Sequence, residues 1–512
     1  MEASITEGRG SARSVPSYDI SFLGNSITGT QSIMRTHISS ALSLLSLLWT
    51  SSKDEQLQPH TSLPPSLDLL QTSISDLGAF LANNTLTSVD LVEAYLGNIA
   101  KHNHDGLTLN AIIQVAPRDS EDSIVPRDAT AILRLRDAGV ILLGKANLDE
   151  FAAWKSAGPI EVANHTNGWS AVGGQISSAY VEGGYASGGD PGGSSGGSAV
   201  GVSAGFAAAS LGTDTTGSTI FPALRASLFA MRPTVGLISR AGVVPISSDL
   251  DSIGPMGFTA NDIALLIGAM AGRDELDDYT WNISTKKPSD FTEFARLPYA
   301  SFSGITLGVP HNLFLDYKPD RPDKPDRDTS LSKAAFRHAI TAIRSLGARI
   351  IEPIHVDISP NEANEFLTQI LLPKMESDFR KGFESYLSNL NISRVRNLAE
   401  LINFNDLHSD LEMPPAECCQ SRIVASALSP DQNSSIYAYR KEESRRFAQK
   451  SLGAMFAADV DALLFVSDWG MERAINWAAS ANYPAGAVPL GQAAFERAFP
   501  KRLVPEPLRT RM

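Results

Sequence analysis

Two clusters of glycine and serine, close together in the chain, constrain this sequence more than any other feature. They are residues 192–197 (GGSSGG) and residues 215–218 (TTGS), and both lie in a stretch of small residues from 188 to 239. Glycine suits positions where the backbone needs a positive φ or lets a reacting group approach the main chain, and serine can act as a nucleophile. The stretch therefore predicts a reaction centre.

Composition limits the partners of that centre. The chain has 512 residues, of which 43% are hydrophobic and 19% charged, as is typical of a globular protein that buries a sizeable core. Its net charge of −13 argues against nucleic-acid or anionic-membrane surfaces, because those partners require basic patches. We expect a small-molecule partner and no nucleic acid. The oligomeric state stays open.

Metal and phosphate sites are not expected. The two cysteines, Cys418 and Cys419, are neighbours, which gives neither a disulfide framework nor a spaced set of metal ligands, so we expect ordinary thiols. The nine histidines show no H-E-x-x-H spacing, and the glycine clusters do not follow the G-x-x-x-x-G-K-[ST] pattern of a phosphate loop. We predict no cofactor and no metal.

The N-terminal region, residues 1–66, is predicted to be a leader or a poorly ordered segment. Its apolar run, residues 41–49, is too short for a bilayer span, which needs about 18 residues. Counted from Met34, the run resembles a secretory signal, so the protein is secreted if translation starts there and otherwise cytoplasmic. A short buried or unstructured hydrophobic segment is the equal alternative.

From residue 67 onward, predicted helices alternate with short apolar strands. Thr87 or Ser88 is predicted to cap the first clear helix, and Gly347 to end another. The alternation predicts an α/β sheet that is covered on both faces. The predicted helices are 128–137, 261–271, 332–345 and 439–457, and the predicted strands are 110–115, 140–143, 305–309, 349–352 and 462–466.

The paired segments PGGSSGGSAVGVSAG and LGTDTTGSTIFPA, followed by RPTVGLISRAGVVPISSDLDSIGPM, resemble the signature region of the amidase signature family of Ser-Ser-Lys hydrolases. The resemblance extends over residues 67–491, and within the family the sequence is most similar in character to the fungal members. It implies an α/β/α sandwich with a mixed, largely parallel central sheet, present here in incomplete form. Residues 492–512 depart from the family and are expected to form a poorly ordered tail.

The resemblance also implies the site residues. Ser218 corresponds to the nucleophile, and Ser194, on a cis peptide bond, corresponds to the serine that relays the proton. The backbone amides of Thr215, Thr216, Gly217 and Ser218 would form the oxyanion hole, where fixed donors meet developing negative charge. The implied function is hydrolysis of a small carboxamide through an acyl-enzyme.

One part of the expected machinery is missing. In the family a lysine acts as general base, in a segment that here would fall between the strand 110–115 and the helix 128–137, yet only APRDSEDSI joins them. Lys145 and Lys155 lie in other motifs and are expected to be surface or structural lysines. The chain is then an active amidase, a catalytically impaired or dead homologue that serves as a binding scaffold, or an incomplete gene model of an active enzyme.

A rival nucleophile motif lies in the same stretch. Gly201, Ser203 and Gly205 match the G-x-S-x-G nucleophile elbow, which requires a strand, a sharp turn and then a helix. Here the match falls inside a predicted alanine-rich helix with no strand before it. We interpret it as a chance match.

Overall fold

The computed structural model describes residues 64, 67–115, 125–155, 166–282, 288, 290–295, 301–316, 330–457, 459–466 and 471–489. The predicted leader, apart from residue 64, and the predicted tail at 492–512 lie outside these residues. The whole connection APRDSEDSI, residues 116–124, lies outside them as well.

Helices and strands alternate along the described chain. The helices are α1 (Ile74–Ala82), α2 (Ser88–His102), α3 (Thr130–Asp137), α4 (Gly196–Ser203), α5 (Ile220–Arg225), α6 (Ala260–Met270), α7 (Thr292–Ala295), α8 (Ser330–Ser345), α9 (Pro360–Glu365), α10 (Leu372–Ser388), α11 (Leu398–Leu407), α12 (Ser409–Glu412), α13 (Ser421–Ala427), α14 (Ser435–Phe456) and α15 (Met471–Ser480). The strands are β1 (Ile112–Val115), β2 (Gly144–Ala146), β3 (Trp169–Ser170), β4 (Gly174–Gln175), β5 (Ala209–Asp214), β6 (Phe229–Arg232), β7 (Ser252–Gly257), β8 (Thr306–Pro310), β9 (Arg349–Ile354), β10 (Ala462–Leu463) and β11 (Ala485–Ala487).

Local sequence signals place several helix ends correctly. Thr87 caps α2, because its hydroxyl accepts the amide of Asp90 while the Asp90 carboxylate accepts the amide of Thr87, a reciprocal capping box. Gly347 follows α8 with φ +103°, a conformation that favours glycine, and so ends the helix. The predicted helices at 128–137, 261–271, 332–345 and 439–457 are confirmed as α3, α6, α8 and α14 within a few residues.

Two sheets carry the architecture. The larger has the strand order β11-β6-β7-β5 with antiparallel neighbours, and the smaller has the order β10-β8-β9 with parallel neighbours. All six residues of β7 are buried, so the larger sheet is covered on both faces, since alternate side chains point to opposite sides. The α/β class is confirmed. The parallel pairing that the resemblance implies is present in the smaller sheet, whereas the described strands of the larger sheet pair antiparallel.

Two strand predictions are displaced. The sequence predicts a strand at the apolar residues 140–143, but the backbone pairing with β1 occurs in the next residues, in β2. Val140 and Leu143 are buried in the core without forming that strand, so burial and pairing fall on adjacent residues. The strand expected at 462–466 is limited to β10, Ala462–Leu463.

The cysteine prediction is wrong. Cys418 and Cys419 are joined by a disulfide, which the backbone accommodates with a positive φ of +86° at Cys419 that no sequence pattern indicates. Among the described helices, none combines the length and the apolar character needed to cross a bilayer.

Candidate active site

Strand β5 delivers the second Gly/Ser cluster to the site. The strand ends at Asp214, residues 215–218 form a turn, and α5 begins two residues later. Gly217 has φ +119°, and a Cβ there would lie 2.2 Å from the ring of Phe221, so the turn accepts only glycine at this position. Ser218 is half-buried beside it.

The carboxylate of Asp214 binds the backbone of this turn. One carboxylate oxygen accepts the amide of Gly217 at 2.7 Å and the other accepts the amide of Thr219 at 2.8 Å. Arg232 Nε lies 3.1 Å from Asp214 Oδ1, close enough for an ion pair but not aligned for a hydrogen bond, and both side chains are fully buried. Burial lowers the pKa of Arg232 and the Asp214 carboxylate partly offsets that effect. The turn is therefore built on a buried ion pair.

The first Gly/Ser cluster lies next to this turn. The peptide bond between Gly193 and Ser194 is cis, and Ser194 is 2% exposed. The Ser194 carbonyl accepts the amide of Asp149 at 2.9 Å, and the Ser195 hydroxyl donates to the Thr213 carbonyl at 3.2 Å. The cluster is thus connected both to β5 and to the segment that follows β2.

The two clusters meet directly. The amide of Ser195 donates a hydrogen bond to the carbonyl oxygen of Ser218 at 3.1 Å. This bond places the main chains of Ser194 and Ser218, which the sequence separates by 24 residues, on neighbouring segments. The structure therefore brings the two predicted serines into one site.

The predicted oxyanion amides are not equivalent. The Gly217 amide donates to Asp214, so it is committed elsewhere, and the Thr215 hydroxyl donates to Asp251 at 2.7 Å. Within the described part of the chain, the backbone amides of Thr215, Thr216 and Ser218 donate to no acceptor. Fewer backbone amides therefore remain as oxyanion donors in this turn than the sequence predicts.

Neither lysine weighed from the sequence is free beside the serines. Lys145 lies half-buried in β2, paired with β1. Lys155 is buried just beyond a short 3-10 helix, where its ammonium contacts the Glu150 carboxylate, the Glu412 carbonyl and, at 3.3 Å, the Glu412 carboxylate. Lys155 is therefore not a surface lysine but a buried one that is paired with two carboxylates.

A second buried lysine was not recognised from the sequence. Lys374 on α10 donates to Ser247 Oγ at 3.1 Å and to Asp378 at 2.8 Å, and it also contacts Asp249. Burial alone would lower its pKa, but the two carboxylates outweigh burial and raise the pKa. An ammonium with a raised pKa is a poor general base at neutral pH. The signal was absent from the sequence because Ser247 lies 127 residues away.

Asp149 is a further buried acid beside the first cluster. A Cβ on Gly193 would lie 2.2 Å from Asp149 Oδ2, and this oxygen has no hydrogen-bond partner among the described residues. Burial raises the pKa of Asp149 well above its usual value, the Gly168 amide opposes this, and Asp190 and Glu417 add to it. The carboxyl therefore favours its neutral form, in which an unpartnered oxygen is less costly.

The rival elbow motif is part of a helix. Ser203 is the last residue of α4, is buried, and donates its hydroxyl to the Val200 carbonyl of the same helix at 3.1 Å. No strand leads into it, so the geometry of a nucleophile elbow is not present.

The chain is similar to known proteins that are named amidases. A family model described as Amidase matches residues 113–467. An amidase-named protein of Arthroderma benhamiae is 36% identical over 225 residues, which cover 44% of this chain and 34% of that protein. A protein of Arabidopsis thaliana named "Probable amidase" is 30% identical over 479 residues, covering 83% of this chain and 85% of that protein.

Solved structures show the same fold. The native peptide amidase of Stenotrophomonas maltophilia shares 28% sequence identity and a TM-score of 0.70, over 82% of this chain and 91% of that chain. The family match covers more than half of the chain. The chain therefore belongs to the amidase, or amidase signature, family of hydrolases that act on carbon–nitrogen bonds.

Proposed function

We propose that this chain hydrolyses the carbon–nitrogen bond of a small carboxamide, with Ser218 as nucleophile and Ser194 as the proton relay. The observation that carries the proposal is the hydrogen bond from the Ser195 amide to the Ser218 carbonyl. It joins the two serine clusters beside amides that have no other acceptor among the described residues. Family membership supplies the reaction class, and a related structure named peptide amidase makes peptide amides a substrate class worth testing.

The proposed steps follow from this arrangement. Ser218 Oγ attacks the carbonyl carbon as its proton passes to Ser194 and the hydroxyl proton of Ser194 passes to the amide nitrogen. The carbonyl oxygen becomes an oxyanion that the amides of Thr216 and Ser218 stabilise. Collapse breaks the carbon–nitrogen bond and the protonated amine leaves. Water then attacks the acyl-enzyme, which releases the carboxylic acid and returns the proton to Ser218.

The general base separates this proposal from its alternative. The two buried lysines in the described chain, Lys155 and Lys374, are held by carboxylates, and the connection that replaces the expected lysine segment lies outside the described residues. Losing a general base typically costs about 10²–10⁴-fold in rate. This favours, as a second candidate, an impaired homologue that binds amides but turns them over slowly.

A fluorophosphonate probe and an amide hydrolysis assay test both candidates. We expect the probe to label Ser218, the label to disappear in Ser218→Ala, and Ser203→Ala to label like the wild type. Rapid Ser218-dependent release of ammonia would exclude the impaired homologue, whereas labelling with very slow release would favour it. A wild type that shows neither would overturn the nucleophile assignment.

The gene-model alternative has its own test. Sequencing the transcript across the codons for residues 115–125 shows whether coding sequence has been omitted there. Extra codons that include a lysine would mean that the natural protein is a complete enzyme, and an uninterrupted match to APRDSEDSI would exclude that explanation.

A further inference from the structure

A chain of buried polar contacts leads from the proposed oxyanion turn to helix α10. We propose that Asp251 is a positioning residue that orients the oxyanion turn through the hydroxyl of Thr215, an inference that rests on the proposed function. The Thr215 hydroxyl donates to Asp251 Oδ1 at 2.7 Å, and Thr215 and the residue after it carry two of the three uncommitted amides. A shift of that hydroxyl would therefore move a proposed oxyanion donor.

Both oxygens of Asp251 are used. Oδ1 takes the Thr215 hydroxyl, and Oδ2 accepts the amides of Ile246 at 2.8 Å and Ser247 at 2.9 Å. The Asp251 side chain reaches no cation within salt-bridge distance among the described residues. Burying a carboxylate without a contacting cation is costly, so the contacts it makes have to compensate for that cost.

The loop that carries Asp251 is itself anchored. Ser247 donates its hydroxyl to Asp378 at 2.6 Å, and Lys374 binds both groups. Asp378 in turn accepts the hydroxyl of Tyr437 on α14 at 2.6 Å. Thr215 is thus connected through Asp251 and Ser247 to two long helices, and this gives the turn a rigid reference.

The turn is held from two sides. Asp214 accepts the amides of Gly217 and Thr219, which precede and follow Ser218, and Asp251 holds Thr215 at the start of the turn. Between these two supports lie the amides of Thr216 and Ser218. Asp214 acts on the main chain directly, whereas Asp251 acts through a hydroxyl that substitution can remove.

The protonation state of the Asp251 carboxyl makes this support depend on pH. Burial raises its pKa to about 6, while the Thr215 hydroxyl, the Ile246 amide, Arg240 and the Ser247 amide lower it. The charge of Arg232 also interacts with that of Asp251. Ser247, whose amide donates to Asp251, is in contact with three further charged groups, Lys374, Asp249 and Asp378. Protonation below about pH 6 leaves Asp251 a weaker acceptor for Thr215, so the support weakens as the pH falls.

The test compares Thr215→Val, Thr215→Ser and Asp251→Asn in the full chain by the rate of fluorophosphonate labelling of Ser218. We expect Thr215→Val to slow labelling about 10- to 100-fold, less than or similar to the roughly 10²–10³-fold cost of deleting an oxyanion donor. Thr215→Ser should keep most of the rate, since it keeps the hydroxyl. Thermal unfolding identifies any variant that fails to fold.

A pH series separates positioning from a purely structural role. The ratio of the wild-type rate to the Thr215→Val rate should fall toward one as the pH drops from about 7.5 to about 5, because both share every other titrating group. Equal rates for wild type and a folded Thr215→Val, or a ratio that does not change with pH, would overturn the proposal. If the wild type is not labelled at all, the proposed function fails and not this inference alone.

Discussion

The amide of Ser195 donates to the carbonyl oxygen of Ser218 across 3.1 Å, and this bond closes the contact between the two Gly/Ser clusters. It follows from two features of the chain. The Ser195 hydroxyl is bonded to β5 at Thr213, and a Cβ on Gly212 of the same strand would lie 2.7 Å from Ser195 Oγ. Close approach between the first cluster and β5 therefore determines where Ser218 lies.

Gly217→Ala is predicted to abolish labelling of Ser218 and to lower the thermal unfolding midpoint. The new methyl group would lie 2.2 Å from Phe221 Cε2, and φ +119° is unfavourable for alanine. The turn has to rearrange, which moves the Ser218 amide and hydroxyl together. Probe labelling and thermal unfolding measure the two effects.

Gly97→Ala is the matched control for that substitution. Gly97 lies inside α2 and does not have a positive φ. Apart from its chain neighbours and the backbone of its own helix, a methyl group added there would have no heavy atom within 4 Å. Alanine there should raise stability by about 0.5–1 kcal/mol and leave labelling unchanged. Equal behaviour of the two variants would contradict the steric argument for Gly217.

The helix ends and the serine clusters could be predicted from the sequence because the residues that determine them are close together in the chain. The cap at Thr87 and the stop at Gly347 need only neighbouring residues, and the serine clusters are contiguous. The strand at 140–143 was misplaced because an apolar run shows burial but not which backbone groups pair. Asp251 was missed because its partner Thr215 lies 36 residues away, and no local pattern shows that their side chains meet.

Asp214→Asn is predicted to destabilise the protein by about 3–5 kcal/mol, because it leaves the Arg232 guanidinium buried without its carboxylate and an uncompensated buried charge is expensive. The substitution also weakens an acceptor of the Gly217 and Thr219 amides, so labelling of the folded fraction should fall. Denaturant unfolding gives the free energy, and probe labelling gives the second effect.

Glu442→Gln serves as the comparison for a surface ion pair. Glu442 and Arg445 are paired on α14 at 2.6 Å, but both side chains are more than half exposed. Its removal should cost less than about 1 kcal/mol. An Asp214→Asn variant as stable as Glu442→Gln would show that the buried pair is not needed.

Lys155→Arg is predicted to keep both the fold and the labelling of Ser218. Arginine can retain the ion pairs with Glu150 and Glu412, but it does not lose its proton in proteins and so cannot act as a general base. Loss of labelling in a folded Lys155→Arg protein would identify Lys155 as the base. Circular dichroism and thermal unfolding establish whether the variant is folded.

Asp262 is predicted to make stability depend on pH. Its carboxylate accepts the amides of Ile74 at 2.9 Å and Thr259 at 2.9 Å. Burial raises its pKa from 3.8 to about 6, opposed by hydrogen bonds from Thr259 and the Ile74 amide, while Asp76 adds to the rise. The native state therefore binds more protons than the unfolded chain between these values, and this group's contribution to stability falls as the pH rises through that window.

The free energy of unfolding of wild type minus that of Asp262→Asn should accordingly fall by up to about 3 kcal/mol between about pH 4 and pH 7. The asparagine side chain of the variant does not titrate, and all other ionisable groups are shared, so their effects largely cancel in the difference. Urea unfolding of both proteins at several pH values measures it. The difference should be flat from about pH 7 to 8, and a difference that rises between about pH 4 and 7 would show that the native state holds this carboxylate in its charged form.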